Sequence, residues 1–445
     1  MDRHAYELAR ALKMAPRRIA VVGAGWAGLA AAVELVQAGA EVTLFEMAQQ
    51  AGGRARDLSP SASCGREALE ASLDNGQHIC IGAYVETLRM MRMVGVAEAD
   101  AFVRRPLMLV DAEGVGLRLG RGAPRPAFAL AVLRRRGWRW NDRLALLRAA
   151  ASWSRRGFRC DASTTVAVLC ASLPLAVRRE FIDPLCIAAL NTPAETASGC
   201  VFLRVLHDAL TSGAGSADLL LPRLTLSALF PAPALRWLAS RGADVRLGRR
   251  VEHIHARVDG WSVDGQPFAA VVLAASASEA ARLAASHAPQ WVARAAALRY
   301  EPIVTVYATS AGCRLPEAMI ALDADAERPV QFVFDRGQLG GSPGLLALVA
   351  SGASGWLERG SRVTEHAAIS QANAALVRHL REPLRAVRTI VEKRATFACT
   401  TGLDRPPMRV APGLFAAGDY VAGPYPATLE GAVRSGIAAA GAALA

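Results

Sequence analysis

The clearest hydrophobic pattern of the chain begins at residues 18–23, where Arg-Ile-Ala-Val-Val-Gly is apolar after its first residue. A short apolar run closed by glycine predicts a buried strand of a parallel sheet. Residues 25–38 are rich in Ala, Val and Leu and are followed by Gly39, a pattern that predicts a helix. Residues 41–46 predict a second strand, so these segments together form a β-α-β unit that begins near Ile19.

The rest of the chain mixes helical and strand patterns, after a glycine-containing polar loop over 52–67. Apolar runs over 102–119 break at Glu113-Gly114, which is typical of a hairpin. Residues 126–215 are helical in pattern and are expected to be interrupted at Pro174, Pro184 and Pro193. Another helical stretch covers 224–240, and the chain ends in a long alanine-rich helix. Strands are predicted at 245–254, 261–263, 269–276, 301–308, 329–334, 345–350 and 413–417.

The turn between the first strand and helix carries a glycine fingerprint. Gly23, Gly25 and Gly28 fit the pattern G-x-G-x-x-G, with Trp26 and Ala27 between the last two glycines. The first glycine permits a tight turn, the second lets the backbone approach a pyrophosphate, and the third allows close packing of helix on strand. The helix N-terminus offers free N–H groups to the phosphates. We therefore expect all five residues to contact a dinucleotide.

Glu46 strengthens this prediction, because it ends the second strand of the same unit. An acidic residue at that place binds the ribose hydroxyls of an adenosine in dinucleotide-binding folds. The fingerprint and Glu46 together do not distinguish FAD from NAD.

Three later features favour FAD. Gly53 and Arg54 follow Glu46 closely, where a flexible backbone and a guanidinium can reach the phosphates or the flavin. A strand-like segment around Val251 can pair its backbone with an adenine edge. Gly418 and Asp419 end a late apolar strand, where the carboxylate can accept a hydrogen bond from a ribityl hydroxyl while the glycine leaves room for the chain.

This combination resembles the amine oxidase and carotenoid desaturase superfamily of flavoproteins along nearly the whole chain. Shorter motifs resemble the squalene-associated desaturase family, the hydroxysqualene dehydroxylases of bacterial hopanoid and squalene synthesis. The resemblance implies non-covalently bound FAD, a long-chain isoprenoid substrate and reduction of hydroxysqualene to squalene by flavin hydride. The shorter motifs are Asp74-Asn75-Gly76-Gln77-His78, Gly82-Ala83-Tyr84, Asn191-Thr192-Pro193, Leu219-Leu220-Leu221-Pro222-Arg223 and Pro426-Ala427-Thr428-Leu429-Glu430-Gly431-Ala432.

The fold expected from the β-α-β unit and this resemblance is α/β. A Rossmann-type FAD-binding domain would carry an inserted α+β substrate domain, as in amine oxidases. We expect the FAD-binding domain in three parts, 16–100, 221–298 and 396–445. The substrate domain would comprise a helical insertion at 101–220 and a sheet at 299–395.

The catalytic candidates follow from the same resemblance, which places the loop of Asp74, His78 and Tyr84 near flavin and substrate. His78 is the residue that can titrate near neutrality and act as general acid. Alternatively, His78 only donates a hydrogen bond and Asp74 only fixes the loop. Thr428 and Leu429 begin the last helix, whose start lies beneath the isoalloxazine in relatives.

Other functions stay open at this point. A carotenoid or phytoene-type desaturase belongs to the same superfamily, and an amine oxidase would frame its substrate between aromatic rings such as Tyr420 and Tyr425. A flavin-binding scaffold without turnover is a third reading. The aromatic residues of 126–215 are expected in the core more often than in a substrate tunnel.

Charge adds one local feature. The net charge is +12, yet Lys13 and Lys393 are the only lysines, so the arginine excess fits genome-wide base composition. No nucleic-acid-binding motif accompanies it, and we expect no nucleic-acid partner. The segment from Arg134 to Trp140 combines arginines with two tryptophans beside a helix, which suits either a membrane surface or a solvated helix face. The sequence gives no oligomeric state.

Cysteine spacing and hydropathy indicate a protein of the cytoplasm, with a peripheral place on the inner face of the membrane as the alternative. The eight cysteines are scattered without a C-x-x-C pair, so we expect reduced thiols and no metal site. No apolar run reaches about 18 residues, and residues 1–15 lack the features of a signal peptide.

Overall fold

The computed structural model describes residues 17–58 and 73–445, so most of the predicted polar loop lies outside the described residues. The strands, in chain order, are β1 (Arg18–Val22), β2 (Glu41–Phe45), β3 (Cys80–Ile81), β4 (Phe102–Arg105), β5 (Met108–Val110), β6 (Gly116–Arg118), β7 (Leu219–Pro222), β8 (Asp244–Arg246), β9 (Ile254–Arg257), β10 (Gly260–Val263), β11 (Gln266–Phe268), β12 (Ala270–Leu273), β13 (Tyr300–Thr309), β14 (Met319–Ala321), β15 (Phe332–Asp335), β16 (Leu345–Ala350), β17 (Arg385–Phe397), β18 (Arg409–Ala411) and β19 (Leu414–Ala416).

The α-helices of the described residues range from 3 to 16 residues in length. In chain order they are α1 (Trp26–Gln37), α2 (Val85–Met93), α3 (Glu98–Ala101), α4 (Pro124–Arg134), α5 (Trp140–Arg155), α6 (Val166–Leu169), α7 (Leu175–Val177), α8 (Asp183–Leu190), α9 (Gly199–Thr211), α10 (Leu226–Leu229), α11 (Pro231–Ala239), α12 (Ala277–Ala284), α13 (Pro289–Ala296), α14 (Ser354–Arg359), α15 (Ser361–Ala375) and α16 (Leu429–Leu444).

A six-stranded sheet in the order β18-β19-β12-β1-β2-β8 contains the predicted β-α-β unit. Its strands from β19 to β8 are parallel, and β18 pairs antiparallel at one edge. Val22 is aligned with both Phe45 and Leu273, so the ends of β2 and β12 flank the glycine turn. Helices α1 and α16 pack against each other beside this sheet. The predicted α/β class and the Rossmann-type core are confirmed.

A second sheet is antiparallel and has the order β14-β15-β16-β13-β17. The predicted strands at 301–308, 329–334 and 345–350 are confirmed as β13, β15 and β16. Strand β17 was not predicted, because its residues are mostly half-buried and mix arginine with apolar positions. The boundaries of the five predicted domain segments stay a prediction.

The helical stretch between β6 and β7 differs from its prediction at one proline. Pro184 does not interrupt the chain of helical turns, since a π turn at Arg178–Ile182 runs directly into α8. Proline lacks the N–H that a continuous α-helix needs, and the bond from the Asp183 N–H to the Arg178 carbonyl oxygen has the wider spacing of a π turn directly before Pro184. Trp140 of this stretch is exposed, whereas six other large aromatic side chains are buried in the core: Phe128, Trp138, Trp153, Phe158, Phe181 and Phe202.

The strand predicted at 245–254 is wrong in its middle. Strand β8 ends at Arg246, and Gly248 has a φ of +69°, a left-handed conformation that ends a strand readily at glycine. The backbone N–H of Arg249 then donates to the carbonyl oxygen of Glu46 at 2.7 Å. The segment that carries Val251 is therefore a loop folded back on the end of β2.

No helix within the described parts of the chain is both long enough and apolar enough to cross a membrane.

Candidate active site

The three glycines of the turn after β1 have different surroundings: two are packed against backbone atoms and one faces open space. Gly23 has a φ of +110°, and a Cβ there would lie 2.6 Å from the carbonyl oxygen of Ala274. A Cβ on Gly28 would lie 1.8 Å from the carbonyl oxygen of Gly23. A Cβ on Gly25, by contrast, would have no neighbour within 4 Å. The open space before the N-terminus of α1 fits a pyrophosphate, which a side chain at Gly25 would obstruct.

Glu46 is oriented toward this turn by the backbone. Its carboxylate accepts hydrogen bonds from the N–H of Ala24 at 2.7 Å and of Ala48 at 2.8 Å, and the residue is buried. Each oxygen keeps a free lone pair, since a carboxylate accepts about four hydrogen bonds. The position fits a pair of ribose hydroxyls beside the glycine turn.

Trp26 joins the turn to the segment that follows Glu46. Its indole N–H donates to the carbonyl oxygen of Ala55 at 2.9 Å, and its ring packs on Phe230 with a centroid distance of 5.3 Å. The N–H of Gly52 donates to the carbonyl oxygen of Ala24 at 2.8 Å. As a result, Gly53 lies against Gly25, with 3.4 Å between the Gly25 Cα and a Cβ built on Gly53.

Arg54 and Asp419, predicted from opposite ends of the chain, form an ion pair with an N–O distance of 2.5 Å. Arg54 also donates to the carbonyl oxygen of Ala395 at 2.9 Å. Burial alone would lower the pKa of the Arg54 guanidinium, but the Asp419 carboxylate, together with Tyr300 and Glu392, outweighs burial and raises that pKa. The N–H of Gly418 donates to Ser435 Oγ of α16 at 2.8 Å, so the same strand end also contacts the last helix.

Buried polar atoms without a partner among the described residues lie beside these elements. They include the hydroxyl oxygens of Tyr420, next to Asp419, and of Thr305, which is 3.7 Å from a Cβ built on Gly76. A buried hydroxyl without a hydrogen bond is costly, so a polar ligand is expected to bind it. The open glycine cradle and these unpaired hydroxyls fit FAD as the ligand.

Asp74 is buried at the start of the loop that carries His78. Its Oδ1 accepts a hydrogen bond from the N–H of Leu226 at 2.8 Å, and its carbonyl oxygen accepts one from the Tyr307 hydroxyl at 3.1 Å. Burial raises the pKa of the Asp74 carboxyl to about 7, although the Leu226 N–H and the charge of Arg336 act in the opposite direction. A carboxyl of this kind carries a proton for an appreciable fraction of the time at neutral pH.

His78 lies on the same loop, and its Nδ1 is 3.1 Å from the carbonyl oxygen of Gly76. Burial lowers the pKa of the His78 imidazole, and the Arg54 charge acts in the same direction. The ring is therefore neutral near pH 7. A neutral ring that donates Nδ1–H to Gly76 presents Nε2 as an acceptor, which suits a proton acceptor better than a proton donor.

Tyr84 and Thr428 meet at the start of α16. Thr428 is the N-cap of this helix, its Oγ1 accepts from the N–H of Gly431 at 2.9 Å, and Leu429 is the first helical residue. Burial raises the pKa of the Tyr84 phenol, although the neighbouring Thr428 hydroxyl acts in the opposite direction. The phenol therefore stays protonated at neutral pH and can donate a hydrogen bond.

Val251 is buried in its loop, and its carbonyl oxygen accepts from Arg282 at 2.6 Å. The predicted pairing with an adenine edge stays a prediction. The Asn191 motif has a structural role. The Asn191 side chain accepts from the N–H of Gly352 at 2.7 Å and donates to the Glu301 carbonyl oxygen at 3.1 Å, which ties the helical region to the second sheet.

Two polar residues of the site were not found by sequence reasoning. Arg336 is buried, donates to Gln77 Oε1 at 3.2 Å and has an Nε without a partner among the described residues. Tyr307 lies in the middle of β13. Neither stands in a motif, so only the packing of the second sheet on the loop of Asp74 reveals them. The described residues also contain no group of His, Cys, Asp or Glu side chains that could hold a metal ion.

Known proteins are similar to this chain in sequence and in fold. The chain is 27% identical to a hydroxysqualene dehydroxylase of Zymomonas mobilis, over 95% of this chain and 98% of that protein. It is 29% identical to a hydroxysqualene dehydroxylase of Rhodopseudomonas palustris, over 95% and 97% of the two chains. The structure of an oxidoreductase from Methanosarcina mazei has the same fold, with a TM-score of 0.70 at 14% identity, and covers 95% of this chain and 99% of its own.

The model of the family described as flavin containing amine oxidoreductase matches residues 26–444, from the first residue of α1 to the last residue of α16. This match begins directly after Gly25 and includes Gly28, the Arg54–Asp419 ion pair and the N-cap of α16. The chain therefore belongs to the flavin containing amine oxidoreductase family and is an FAD-dependent oxidoreductase.

Proposed function

We propose that the protein is a hydroxysqualene dehydroxylase, which reduces hydroxysqualene to squalene. The observation that carries the proposal is the similarity, over nearly the whole of both chains, to curated proteins of that name. A buried carboxyl on the loop next to the cofactor elements agrees with it, since loss of a hydroxyl from carbon requires a proton for the leaving oxygen.

FAD, when bound in its reduced form, supplies the hydride for this reaction. The C–O bond breaks, the hydroxyl leaves as water after protonation, and the hydride forms the new C–H bond. The protein supplies the proton, orients the chain and excludes water. We propose Asp74 as the proton donor, because burial raises the pKa of its carboxyl to about 7, so the carboxyl can both hold and release a proton near neutral pH.

In this proposal His78 accepts and Tyr84 donates a hydrogen bond, and His78 is not the general acid that the sequence predicted. A neutral His78 ring can accept a hydrogen bond from a substrate or flavin group through Nε2. Tyr84 donates through a phenol that does not ionise, beside the helix start at Thr428. Arg336 lies near enough to Asp74 for its charge to moderate the pKa of that carboxyl.

The proposed FAD contacts extend over both ends of the cofactor. The glycine turn and Glu46 would hold the adenosine diphosphate, and the Arg54–Asp419 pair and the start of α16 would hold the ribityl and isoalloxazine groups. The proposed residues are Gly23, Gly25, Trp26, Ala27, Gly28, Glu46, Gly53, Arg54, Val251, Gly418, Asp419, Thr428 and Leu429.

The geometry around Tyr425 disfavours an amine substrate. The guanidinium carbons of Arg204 and Arg434 lie 5.2 Å and 4.7 Å from the centre of the Tyr425 ring, and the Tyr420 side chain is buried. Two cations already occupy the environment in which an aromatic pair would receive an ammonium group, and like charges repel. An uncharged isoprenoid has no such conflict.

The direct test incubates the FAD-loaded chain, reduced with dithionite, with hydroxysqualene and follows squalene by mass spectrometry. Phytoene and simple amines, with oxidised flavin, serve as alternative substrates. The proposal expects that, of these substrates, only hydroxysqualene is converted, with formation of squalene and reoxidation of the flavin. Squalene absent at full flavin occupancy, or turnover only with an amine or phytoene, would overturn it.

An apolar substrate of this kind partitions into lipid, and we propose that the α4–α5 hairpin contacts the membrane surface. Leu130 and Leu133 of α4 and Trp140 and Leu144 of α5 are exposed, and the Trp140 side chain is 64% exposed. Arg134, Arg136 and Arg139 are exposed in and beside the connecting segment. Exposed apolar side chains flanked by arginines suit the interface of an anionic bilayer.

Trp138, part of the predicted cluster, does not belong to this surface. Its side chain is buried, and its indole N–H donates to Glu180 Oε2 at 2.7 Å. Arg135 pairs with the same Glu180 carboxylate at 2.7 Å. These two residues fix the hairpin to the helical region, and the exposed surface is left to their neighbours.

The test measures sedimentation with vesicles of phosphatidylglycerol and with vesicles of phosphatidylcholine. The double variant Arg136→Glu/Arg139→Glu should bind phosphatidylglycerol about tenfold or more weakly, since each basic residue contributes about 1 kcal/mol at an anionic surface. A matched control, Arg362→Glu/Arg378→Glu, alters two exposed arginines elsewhere. Equal binding by the two double variants would remove this contact from the proposal.

A further inference from the structure

Two cysteine side chains lie side by side although their positions differ by 40 residues. The Sγ atoms of Cys160 and Cys200 are 3.4 Å apart. Both residues are partly exposed, whereas the other described cysteines are buried. A disulfide requires an S–S distance of about 2.05 Å, so a shift of little more than an ångström would join the two sulfurs.

The surroundings keep the two thiols together. Cys200 is the second residue of α9, and its thiol lies 3.5 Å from the carbonyl oxygen of Cys160. Gly199 precedes it, and a Cβ there would lie 3.2 Å from Cys160 Sγ, so the glycine leaves room for that sulfur. A backbone bridge between Thr165 and Ser198 fixes the two segments next to each other. Neither sulfur needs a large backbone movement to reach the other.

We propose that Cys160 and Cys200 are a site of reversible thiol oxidation, with a low-molecular-weight disulfide as the oxidant. One protein sulfur attacks the small disulfide and releases one small thiol. The second protein sulfur then attacks the mixed disulfide and releases the other small thiol. Two protein thiols are oxidised and one small disulfide is reduced, so electrons and atoms balance.

The order of attack follows from the environment of Cys160. Burial, together with the neighbouring Cys200 sulfur, raises the pKa of the Cys160 thiol. The thiolate is the attacking form, so Cys160 is a poor first nucleophile. Cys200 lines a neighbouring cavity and is therefore the sulfur that a small disulfide reaches first, and Cys160 resolves the mixed disulfide.

The crosslink would join α9 to the segment before α6, next to a cavity of about 200 Å³. Cys200 lines this cavity with Ser198, Cys399 and Pro426, and Pro426 shortly precedes the N-cap of α16. One turn after Cys200, Arg204 donates to the Tyr425 hydroxyl at 3.4 Å. Oxidation thus fixes the helix that contacts the start of the proposed flavin-ring segment, whatever the substrate of the enzyme is.

The experiment treats the FAD-loaded full chain with oxidised glutathione and maps the peptides without reduction. The expected result is a peptide pair linked through Cys160 and Cys200, which dithiothreitol releases. The oxidised wild type should also unfold at a midpoint several degrees higher than its reduced form, because a crosslink that closes a long loop constrains the unfolded chain. The double variant Cys160→Ser/Cys200→Ser should show no such difference.

The single variants separate this site from the other thiols. Cys160→Ser should stop at a stable mixed disulfide on Cys200, whereas Cys200→Ser should leave Cys160 largely unmodified. A linked pair that involves Cys64 instead, or independent glutathionylation of both sulfurs in the wild type, would overturn the proposal. So would equal unfolding midpoints of the oxidised and reduced wild type despite a mapped crosslink.

Discussion

The glycine turn after β1 and the loop of Asp74 both flank the proposed cofactor site, yet they differ in how far neighbouring protein groups satisfy their contacts and hydrogen bonds. At the turn, Glu46 accepts from two backbone N–H groups, and Gly23 and Gly28 are in tight contact with backbone atoms. Beside the loop, Thr305 and Arg336 keep buried polar atoms that no described residue satisfies.

The difference shows where each region obtains its partners. The turn is closed by neighbours within one β-α-β unit and by backbone groups, so it is formed before any ligand arrives. The loop depends on side chains from the second sheet, and part of its hydrogen bonding is left for cofactor or substrate. The turn is preorganised and the loop has unsatisfied donors. This combination fits a site in which the turn binds the cofactor first and the remaining hydrogen bonds of the loop form when the reacting groups bind.

The largest expected effect comes from two identical substitutions within the turn. Gly28→Val should prevent folding of the first β-α-β unit, because its Cβ would lie 1.8 Å from the Gly23 carbonyl oxygen. Gly25→Val should fold, since that Cβ meets nothing within 4 Å, but its side chain should occupy the pyrophosphate space. We expect roughly a hundredfold weaker FAD binding, about 2.7 kcal/mol.

Circular dichroism and flavin absorbance distinguish the two variants. Insoluble or unfolded Gly28→Val and colourless, folded Gly25→Val would support the division of roles in the turn. A yellow Gly25→Val protein with unchanged FAD affinity would mean that the pyrophosphate lies elsewhere.

The next effect concerns the loop and its proposed acid. Asp74→Asn keeps an oxygen for the Leu226 N–H but removes the acidic proton, so the rate of dehydroxylation should fall by about 10²–10⁴-fold. In the wild type the active form is the protonated one, and the rate should fall as pH rises through about 7. Asp57 raises the pKa of Asp74, so Asp57→Asn should move this decline to lower pH. A pH profile that is the same in all three proteins would leave Asp74 without a role in proton transfer.

The same carboxyl predicts a pH dependence of stability. The pKa of Asp74 is raised from 3.8 to about 7 on folding, so the folded chain binds the proton more tightly than the unfolded chain. The resulting stabilisation is complete below pH 3.8 and is lost as pH rises to about 7. Thermal unfolding midpoints of Asp74→Asn should therefore decline less across this range than those of the wild type, and parallel curves would contradict the buried ionisation.

The smallest expected effect tests an unsatisfied hydroxyl. Tyr420→Phe removes an oxygen that has no partner among the described residues, so the apoprotein should be as stable as the wild type or slightly more stable. If FAD satisfies this hydroxyl, the variant should bind FAD about two- to tenfold more weakly, equivalent to about 0.5–1.5 kcal/mol. Calorimetry on the apoprotein and FAD titration measure the two quantities separately. An apoprotein destabilised by the change would indicate a protein partner for the hydroxyl.

Much of the fold was predictable because its signals are local. The apolar run at 18–22, the glycine turn and the helix after it are short-range patterns, and they predict Gly23 and Gly28 in the turn and Glu46 at the end of the next strand, as observed. The late Gly418-Asp419 strand end was likewise found from sequence, as β19 and the residues after it. Its pairing with Arg54 was not predictable, since 365 residues separate the two partners.

Glu430 has hydrogen bonds in the structure that its position in the sequence does not predict. From sequence it is an acidic residue in the first turn of α16, favourable to the dipole of that helix. In the structure its buried carboxylate accepts from the N–H groups of Glu86 and Thr87, so it caps α2 instead. Trp138 changed in the opposite way, from a proposed surface residue to a buried donor to Glu180.

The sequence by itself determined the parallel core, the position of the glycine cradle and the class of cofactor, because each depends on residue types at fixed short spacings. Only the tertiary structure decided which buried groups lie beside that cradle and which way they titrate. The pKa of Asp74 depends on burial under β13 and α10 and on the charges of Arg336 and Asp57. Burial and charge proximity are properties of elements brought together by folding, and no local pattern encodes them.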